Sequence, residues 1–298
     1  VALCFAEASS RISTSGGAYA YIERAFGPYF GTVACTLLAV SGILLGAALV
    51  NGIADMLSVS LPVFDHLFFR GLFFIFCFAV FTYSNIIGVK QGMRVAKATT
   101  VLKILPLVLL VVIGLCKLNT LNLHWQGFPS SDKLGKACLL LFFAFFGGET
   151  ALNVSGEMKN PKRTAPIGLL LGVFSIIVFY SLIQLVSQST LGPELISQKA
   201  PLASVAGKLA GNWGIKILML GGLVSIIGTL YSIIIVMPRV LFAGANDGLL
   251  PGFLSKVHPR FSTPYLAIIT FSLLAILLAI SGGFRQLIIL SSIAMLLL

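Results

Sequence analysis

Nine hydrophobic segments recur along the 298 residues and limit the possible fold more than any other feature of the sequence. They lie near residues 1–10, 28–50, 67–88, 95–116, 135–155, 166–190, 213–237, 264–281 and 285–298. Several exceed the ~20 apolar residues that a helix needs to cross a bilayer. The composition, 58% hydrophobic and 10% charged, is far from that of a soluble domain. We therefore predict an all-α integral membrane protein, because helices satisfy their own backbone hydrogen bonds in lipid.

Basic residues lie in the short loops between these segments and produce a formal net charge of +11. This arrangement predicts membrane topology and argues against nucleic-acid binding, since the bases form no patch on a soluble domain. Alternate loops lie on opposite sides of the membrane, so twelve of the Lys and Arg residues fall on one side and eight on the other. The twelve are Arg11, Arg24, Lys90, Arg94, Lys97, Lys103, Lys159, Lys162, Arg163, Arg239, Lys256 and Arg260, and the eight are Arg70, Lys117, Lys133, Lys136, Lys199, Lys208, Lys216 and Arg285. The first set is predicted to be cytoplasmic, because basic residues are more frequent in cytoplasmic loops. Lys103 falls within a hydrophobic segment, so the excess of basic residues on that side is smaller than the count suggests.

Two glycines and an acid interrupt the fifth segment. Gly147, Gly148 and Glu149 separate one apolar run from another, which leads to an aqueous loop near Glu157. A helix broken near mid-membrane exposes N–H and C=O groups that lipid does not satisfy, so such breaks line a cavity or a ligand site. The pattern predicts a transporter's substrate site. Close helix packing is the other interpretation of the two glycines.

The acid beside the break, Glu149, has two interpretations. An ionised carboxylate at the bilayer centre costs on the order of 2.5–3.5 kcal/mol on insertion scales, so it faces a cavity or a partner. Its role is then proton coupling, gating or contact with a cationic group. Alternatively, the carboxylate accepts hydrogen bonds from the amides that the break leaves free.

A lysine and a polar stripe mark two other segments. Lys103 interrupts the fourth segment, and because burial disfavours a charged ammonium, a lysine there could exchange a proton during transport. Its side chain could instead extend to the cytoplasmic surface.

In the seventh segment, small or polar residues recur at spacings of three and four, with a tyrosine beside them: Ser225, Gly228, Thr229, Tyr231 and Ser232. The stripe could line an ion or proton path or serve ordinary helix packing.

Cysteine and histidine positions give no sign of a metal site or a cofactor. The five cysteines have no CxxC spacing, and the three histidines are far apart. The sequence also has no His-Glu-x-x-His or Gly-x-Ser-x-Gly motif, which disfavours a membrane-embedded enzyme. A channel would show pore rings or a selectivity-filter loop, and neither is visible.

Four stretches together resemble the amino acid–polyamine–organocation superfamily of permeases. They are Glu7–Arg11 with Gly16–Gly27, Asn85–Lys90, Phe143–Arg163, and Arg239–Pro251 with His258–Phe261 and Thr263–Pro264. Each motif alone is loose, but the four occur in the order found in the family. By this resemblance the chain runs from within helix 2 to within helix 10 of a multi-helix transporter and is incomplete at both ends.

The resemblance implies a five-plus-five inverted repeat with broken helices. One permease domain would span residues 1–298, with residues 1–133 from the first repeat and residues 134–298 from the second. The implied substrate site comprises Phe143, Ala144, Phe145, Phe146, Gly147, Gly148 and Glu149. Carbonyls around Ala144 to Phe146 would accept the substrate ammonium, and Phe143 and Phe146 would form the side-chain pocket or gate. Lys103 resembles the lysine that stands in for sodium in proton-coupled members. The other half of the site belongs to helix 1, which this chain lacks.

The expected function is secondary active transport of amino acids across the cell membrane, as a proton symporter or an exchanger working by alternating access. The expected partners are an amino acid, protons and membrane lipid, with no cofactor. Neutral, aromatic and basic amino acids all stay open as substrates. The alternatives are a non-transporting truncated remnant of such a permease, or an exchanger of polyamines or organic cations.

Overall fold

A computed structural model describes residues 2–12, 17–58, 61–87, 89–123, 127–144, 147–198 and 200–298. Within these ranges it describes only the backbone of residues 89–97, 136, 139–140, 142–144, 149, 154 and 156–157. Within the described residues, ten α-helices follow one another: α1 Ala2–Arg11, α2 Ala18–Phe26, α3 Pro28–Ser58, α4 Leu67–Ile87, α5 Val89–Cys116, α6 Ser131–Ala144, α7 Pro161–Leu191, α8 Pro201–Asn246, α9 Tyr265–Ser281 and α10 Phe284–Leu296. The described part of the chain contains no β-strand.

Every predicted hydrophobic segment corresponds to a helix, so the all-α membrane prediction is confirmed. Five helical stretches within the described residues are long and apolar enough to cross a membrane: Pro28–Ser58, Leu67–Ile87, Ala98–Cys116, Pro161–Ser197 and Pro201–Asn246. The short amphipathic helix α2 joins α1 to α3. Many large apolar side chains of α4, α5 and α7 are exposed, as expected for a surface that faces lipid.

The helix α8 consists of two parts. Gly211 has a φ of +62°, which interrupts the helical backbone and separates residues 201–210 from residues 212–246. The Nζ of Lys117 donates a hydrogen bond of 3.0 Å to the carbonyl of Leu209 at the end of the first part. This bond satisfies a carbonyl that the interruption would leave free. The first part is thus a connection between two longer helices.

The core is centred on α3, which packs against α2, α8, α9 and α10. Glycine makes this close packing possible: a Cβ on Gly42 would lie 2.7 Å from the side chain of Met237 on α8. At one end of the core, the Nδ2 of Asn51 donates to the carbonyl of Ala279 at 3.0 Å. The Oδ1 of Asn51 accepts from Arg70 at 3.0 Å, and Arg70 also pairs with Asp55 at 2.7 Å. These bonds connect α3, α4 and α9.

At the opposite end of the core, α4 is hydrogen-bonded to α8 where a proline interrupts the hydrogen bonds of that helix. Pro238 has no N–H, so the carbonyl of Ile234 has no helical partner four residues further along. The Nδ2 of Asn85 donates to that carbonyl at 2.7 Å. A guanidinium nitrogen of Arg239 donates to the Oδ1 of Asn85 at 3.1 Å and to the carbonyl of Ile235. One buried asparagine therefore satisfies the carbonyl that the proline leaves free.

The position of Arg239 corrects one expectation from the sequence. Arg239 was placed in a cytoplasmic loop after the seventh segment, but it lies within α8 and is only 2% exposed. Its hydrogen bonds to Asn85 and to the backbone compensate for the loss of water, and the helix continues to Asn246. Arg239 therefore does not count among the loop residues that indicate topology.

Candidate functional site

The backbone leaves α-helical geometry at the predicted break. The helix α6 ends at Ala144, and Gly147 has a left-handed conformation with φ +103° and ψ −13°. A 3₁₀ segment, Gly148–Glu157, follows. The carbonyl of Gly147 accepts hydrogen bonds from the backbone N–H of Thr150 at 3.1 Å and from its hydroxyl at 2.6 Å. Gly147 thus supplies the positive φ that the change of direction requires.

Part of the predicted substrate site lies outside the described residues. Phe145 and Phe146 are not described, and of Phe143, Ala144 and Glu149 only the backbone is. The aromatic pocket and the roles of Glu149 and of the carbonyls near the break therefore stay predictions. Gly148, which begins the 3₁₀ segment, is exposed.

The 3₁₀ segment is held between α2 and α7. Leu152 is buried in a cluster with Leu169 of α7 and Tyr21 of α2. The next residue, Asn153, is 1% exposed, and a Cβ on Gly17 would overlap its Oδ1. The short helix α2 therefore begins directly against the segment that follows the break.

The structure brings Lys103 and the stripe on α8 to the same interface. Thr99 of α5 faces Gly228, where an added Cβ would lie 2.8 Å from the threonine. Pro106 faces Gly221, at 2.6 Å from an added Cβ. The two helices therefore run antiparallel. Lys103 lies between these contacts, one turn from each on the same face of α5, and it is half-buried.

Two hydroxyls of the stripe are hydrogen-bonded within α8. Thr229 donates to the carbonyl of Ser225 at 2.8 Å, and Ser232 donates to the carbonyl of Gly228 at 2.8 Å. Such bonds to the preceding turn are the local alternative to binding a ligand. Ser225 lies level with Lys103 along the interface, since it falls between Gly221 and Gly228.

Tyr231, three residues after Gly228, contacts α4. Its side chain is buried, and its hydroxyl is 2.8 Å from the hydroxyl of Ser84 on α4. Its ring also makes an edge contact with Phe81, with the ring centroids 5.2 Å apart. The structure therefore places Tyr231 at the α4 interface and does not bring it to Lys103. Its role in the transport path stays a prediction.

A contact that the sequence did not indicate joins α2 to the end of α8. Tyr19 is fully buried, and its hydroxyl donates to Oδ2 of Asp247 at 2.9 Å. Burial, followed by the charge of Asp247, raises the pKa of Tyr19 far above its ordinary value, so the hydroxyl stays protonated and acts as the donor. Burial and then Asp247 also raise the pKa of Glu23, while Arg24 lowers it. The two partners are 228 positions apart, and no sequence spacing could pair them.

The described side chains offer no site for a metal: no three His, Cys, Asp or Glu residues among them are grouped closely enough to hold an ion. The features that stand out are instead the broken helix, the half-buried lysine within a span and the buried contact of α2 with α8. This combination defines a multi-pass helical membrane protein of the transporter class.

Comparison with known proteins identifies the family. The family model described as amino acid permease matches residues 1–298, and the chain belongs to this family. The chain is 29% identical over 93% of its length to the branched-chain amino acid permease BcaP of Bacillus subtilis, covering 63% of that protein. It is 31% identical over 89% of its length to the serine/threonine exchanger SteT of the same organism, covering 62%. It is 26% identical over 96% of its length to the vacuolar cationic amino acid transporter 4 of Arabidopsis thaliana, covering 51%.

These relatives confirm the predicted superfamily and set aside the membrane-enzyme alternative, because they are permeases, exchangers and transporters. The chain spans between about half and two thirds of the length of each of them.

Proposed function

We propose that the protein containing this chain carries amino acids across a membrane by secondary active transport with alternating access. One observation carries the proposal: α6 ends within an apolar segment, and Gly147 turns the backbone in a chain that belongs to the amino acid permease family. Backbone groups released at such a break are available to bind a small polar ligand. An amino acid, with its ammonium and carboxylate groups, suits them.

In this proposal the carbonyls of Ala144 to Phe146 accept the ammonium of the substrate. Phe143 and Phe146 shape the side-chain pocket, and Glu149 takes part in gating or proton coupling. Residues 1–133 and 134–298 belong to the two inverted repeats, and the protein works in the cell membrane. The family assignment and the left-handed Gly147 support this arrangement.

Transport is proposed to be coupled to protons through Lys103. Lys103 is half-buried within a span and lies on the face of α5 that packs against α8, level with Ser225. An ionisable group inside a membrane helix has a functional partner more often than not, since its insertion is costly. Proton symport and amino acid exchange both agree with this position.

The test is counterflow in proteoliposomes that contain the full-length natural protein. Vesicles are loaded in turn with a branched-chain, a hydroxylated, an aromatic and a cationic amino acid, and entry of the same labelled amino acid is measured. We expect saturable counterflow with at least one of them. The absence of counterflow with the whole panel would refute amino acid transport, and flux that does not saturate would indicate a channel.

A matched pair of glycine variants connects this activity to the break. Gly147→Ala forces a side chain into a φ of +103°, which costs about 1–3 kcal/mol, so we expect the counterflow rate to fall by about tenfold or more. Gly172→Ala, in α7, meets no neighbouring atom within 4 Å and serves as the control with an unchanged rate. Equal rates in the two variants would show that the conformation of Gly147 is not required.

A further inference from the structure

We propose that α2 is a latch on the inner end of the transport path and that the hydrogen bond between Tyr19 and Asp247 is its catch. The latch comprises residues Ala18–Phe26 with the preceding Gly17. While the bond holds, α2 covers the end of α8 and the 3₁₀ segment after the break. When it breaks, α2 moves away and the path opens to the cytoplasm. The inference rests on the proposed transport function for its meaning, but its test does not need a substrate.

The latch contacts three separate parts of the molecule within about two turns. Gly17 lies against Asn153 of the 3₁₀ segment. Tyr19 bonds to Asp247 at the end of α8. Glu23 lies against α3, where a Cβ on Gly31 would be 2.6 Å from the Cβ of Glu23. A displacement of this one helix would therefore expose all three parts together.

The location of Asp247 argues for a role other than helix stability. Asp247 is the C-cap residue of α8, and its N–H donates to the carbonyls of Ala243 and Ala245. The C-terminal end of a helix carries partial negative charge, so an acidic residue there is unfavourable for the helix itself. The hydroxyl of Tyr19 compensates by donating to the carboxylate. Asp247 is also exposed, so water can replace the tyrosine when the bond breaks.

The other contacts of α2 depend on shape, whereas the catch is a single hydrogen bond to a charged group. The van der Waals contacts of α2 are spread over many atoms and are lost only when the whole helix moves. The energy of a charge-assisted hydrogen bond depends on one pair of atoms, so a single substitution can remove it. Removing that bond should shift the balance between closed and open α2 by roughly tenfold, since a hydrogen bond to a charged group contributes about that factor.

A natural cysteine beneath the latch reports whether it is open. Cys35 on α3 is fully buried in the same cluster as Tyr19. Its thiol lies 3.9 Å from the carbonyl of Val240, and a Cβ on Gly244 would lie 2.5 Å from its sulfur. The thiol is thus packed against α8 within the cluster that also contains Tyr19, and we expect a water-soluble reagent to reach it only after α2 moves.

The experiment measures the labelling rate of Cys35 by a membrane-impermeant maleimide in inside-out vesicles, without added amino acid. The full-length protein keeps Cys35, and its other cysteines are replaced by serine. We expect Tyr19→Phe and Asp247→Ala each to raise the labelling rate by roughly tenfold. The double variant should label no faster than either single variant, because both remove the same bond.

Two variants control for general loosening. Tyr21→Phe removes a buried hydroxyl two residues along the latch that has no hydrogen-bond partner among the described residues, so its labelling rate should equal that of the parent. Asp247→Asn keeps an acceptor oxygen but loses the charge, so it should label at a rate between those of the parent and Asp247→Ala. The proposal is overturned if Tyr19→Phe labels at the parental rate, if Tyr21→Phe labels as fast as Tyr19→Phe, or if Asp247→Asn labels as fast as Asp247→Ala.

The outcomes for the latch and for transport are separable. Unchanged labelling in a protein with intact counterflow would refute only the latch. The expected labelling in a protein without counterflow would support the latch and refute only amino acid transport.

Discussion

Gly17 and Gly27 flank α2, and both have positive φ angles, +58° and +89°. An alanine at either position is strained, at a cost of about 1–3 kcal/mol. The two differ in their surroundings, since a Cβ at Gly17 would overlap Asn153 and a Cβ at Gly27 would meet nothing within 4 Å. The pair therefore separates backbone strain from packing against the 3₁₀ segment.

We expect Gly17→Ala to destabilise the protein more than Gly27→Ala, by a further ~1–3 kcal/mol, because the methyl group overpacks the contact with Asn153. Thermal denaturation in detergent measures the difference. Adding Asn153→Ala to Gly17→Ala should remove most of the extra loss. Equal stability of the two single variants would show that Gly17 does not pack tightly against Asn153.

Lys103 is the residue on which the proposed coupling depends. We expect Lys103→Ala to abolish stimulation of uptake by an inward pH gradient, because the variant has no group there to exchange a proton, while counterflow continues. Lys208→Ala is the matched control, since Lys208 is exposed and pairs with Glu194 at 2.7 Å. Uptake by Lys103→Ala that still responds to pH as in the parent would rule out this assignment.

At the scale of helices, the bond between α4 and α8 depends on a missing backbone donor. Pro238 leaves the carbonyl of Ile234 without its helical partner, and Asn85 donates to it from α4. Asn85→Ala should therefore destabilise the protein by about 1–3 kcal/mol, the usual cost of an unpaired buried carbonyl. The same substitution should cost less in a Pro238→Ala background, where residue 238 regains an N–H.

The difference between those two costs, measured by thermal denaturation, isolates the contribution of the hydrogen bond from Asn85 to the carbonyl of Ile234. The bond from Arg239 to Asn85 is lost in both backgrounds and cancels. If Asn85→Ala costs the same with proline and with alanine at position 238, its effect arises elsewhere, and the compensation proposed for Pro238 is wrong.

For the molecule as a whole, hydrogen bonds join helix ends at two opposite ends of the core. Asn51, Arg70 and Ala279 meet at one end. At the other, Tyr19 meets Asp247, and the hydroxyl of Thr263 donates to the carbonyl of Ile86 at 2.8 Å. These helix ends adjoin loops that the hydrophobic segments assign to opposite sides of the membrane. Their segregation is thus a property of the structure, whereas their assignment to a membrane side follows from the basic residues.

We expect a cysteine at position 256 to react with an impermeant thiol reagent only from the cytoplasmic side. A cysteine at position 208 should react only from the outer side. Lys256 and Lys208 are both exposed, so Lys256→Cys and Lys208→Cys should leave packing unchanged. The measurement compares intact cells with inside-out vesicles that contain the variants in a cysteine-free background. The reverse pattern would invert the proposed orientation, and the latch would then close the outer end.

Local patterns were sufficient for the spans and for the break. The length of an apolar run and the Gly147–Gly148 pair each act through neighbouring residues, so a linear chain reveals them. The position at which α8 ends was predicted wrongly, because a linear sequence reveals only interactions between neighbouring residues. Arg239 looks like a loop residue in a linear sequence, because its partner Asn85 belongs to another helix.

The contacts between helices needed the tertiary structure. The bond of Tyr19 to Asp247, the level of Lys103 beside Ser225 and the direction of Tyr231 toward Ser84 all depend on how helices are placed against one another. Hydrophobicity drives helices into a membrane without selecting which faces meet. That selection comes from small residues that allow close approach and from buried polar groups that require a partner.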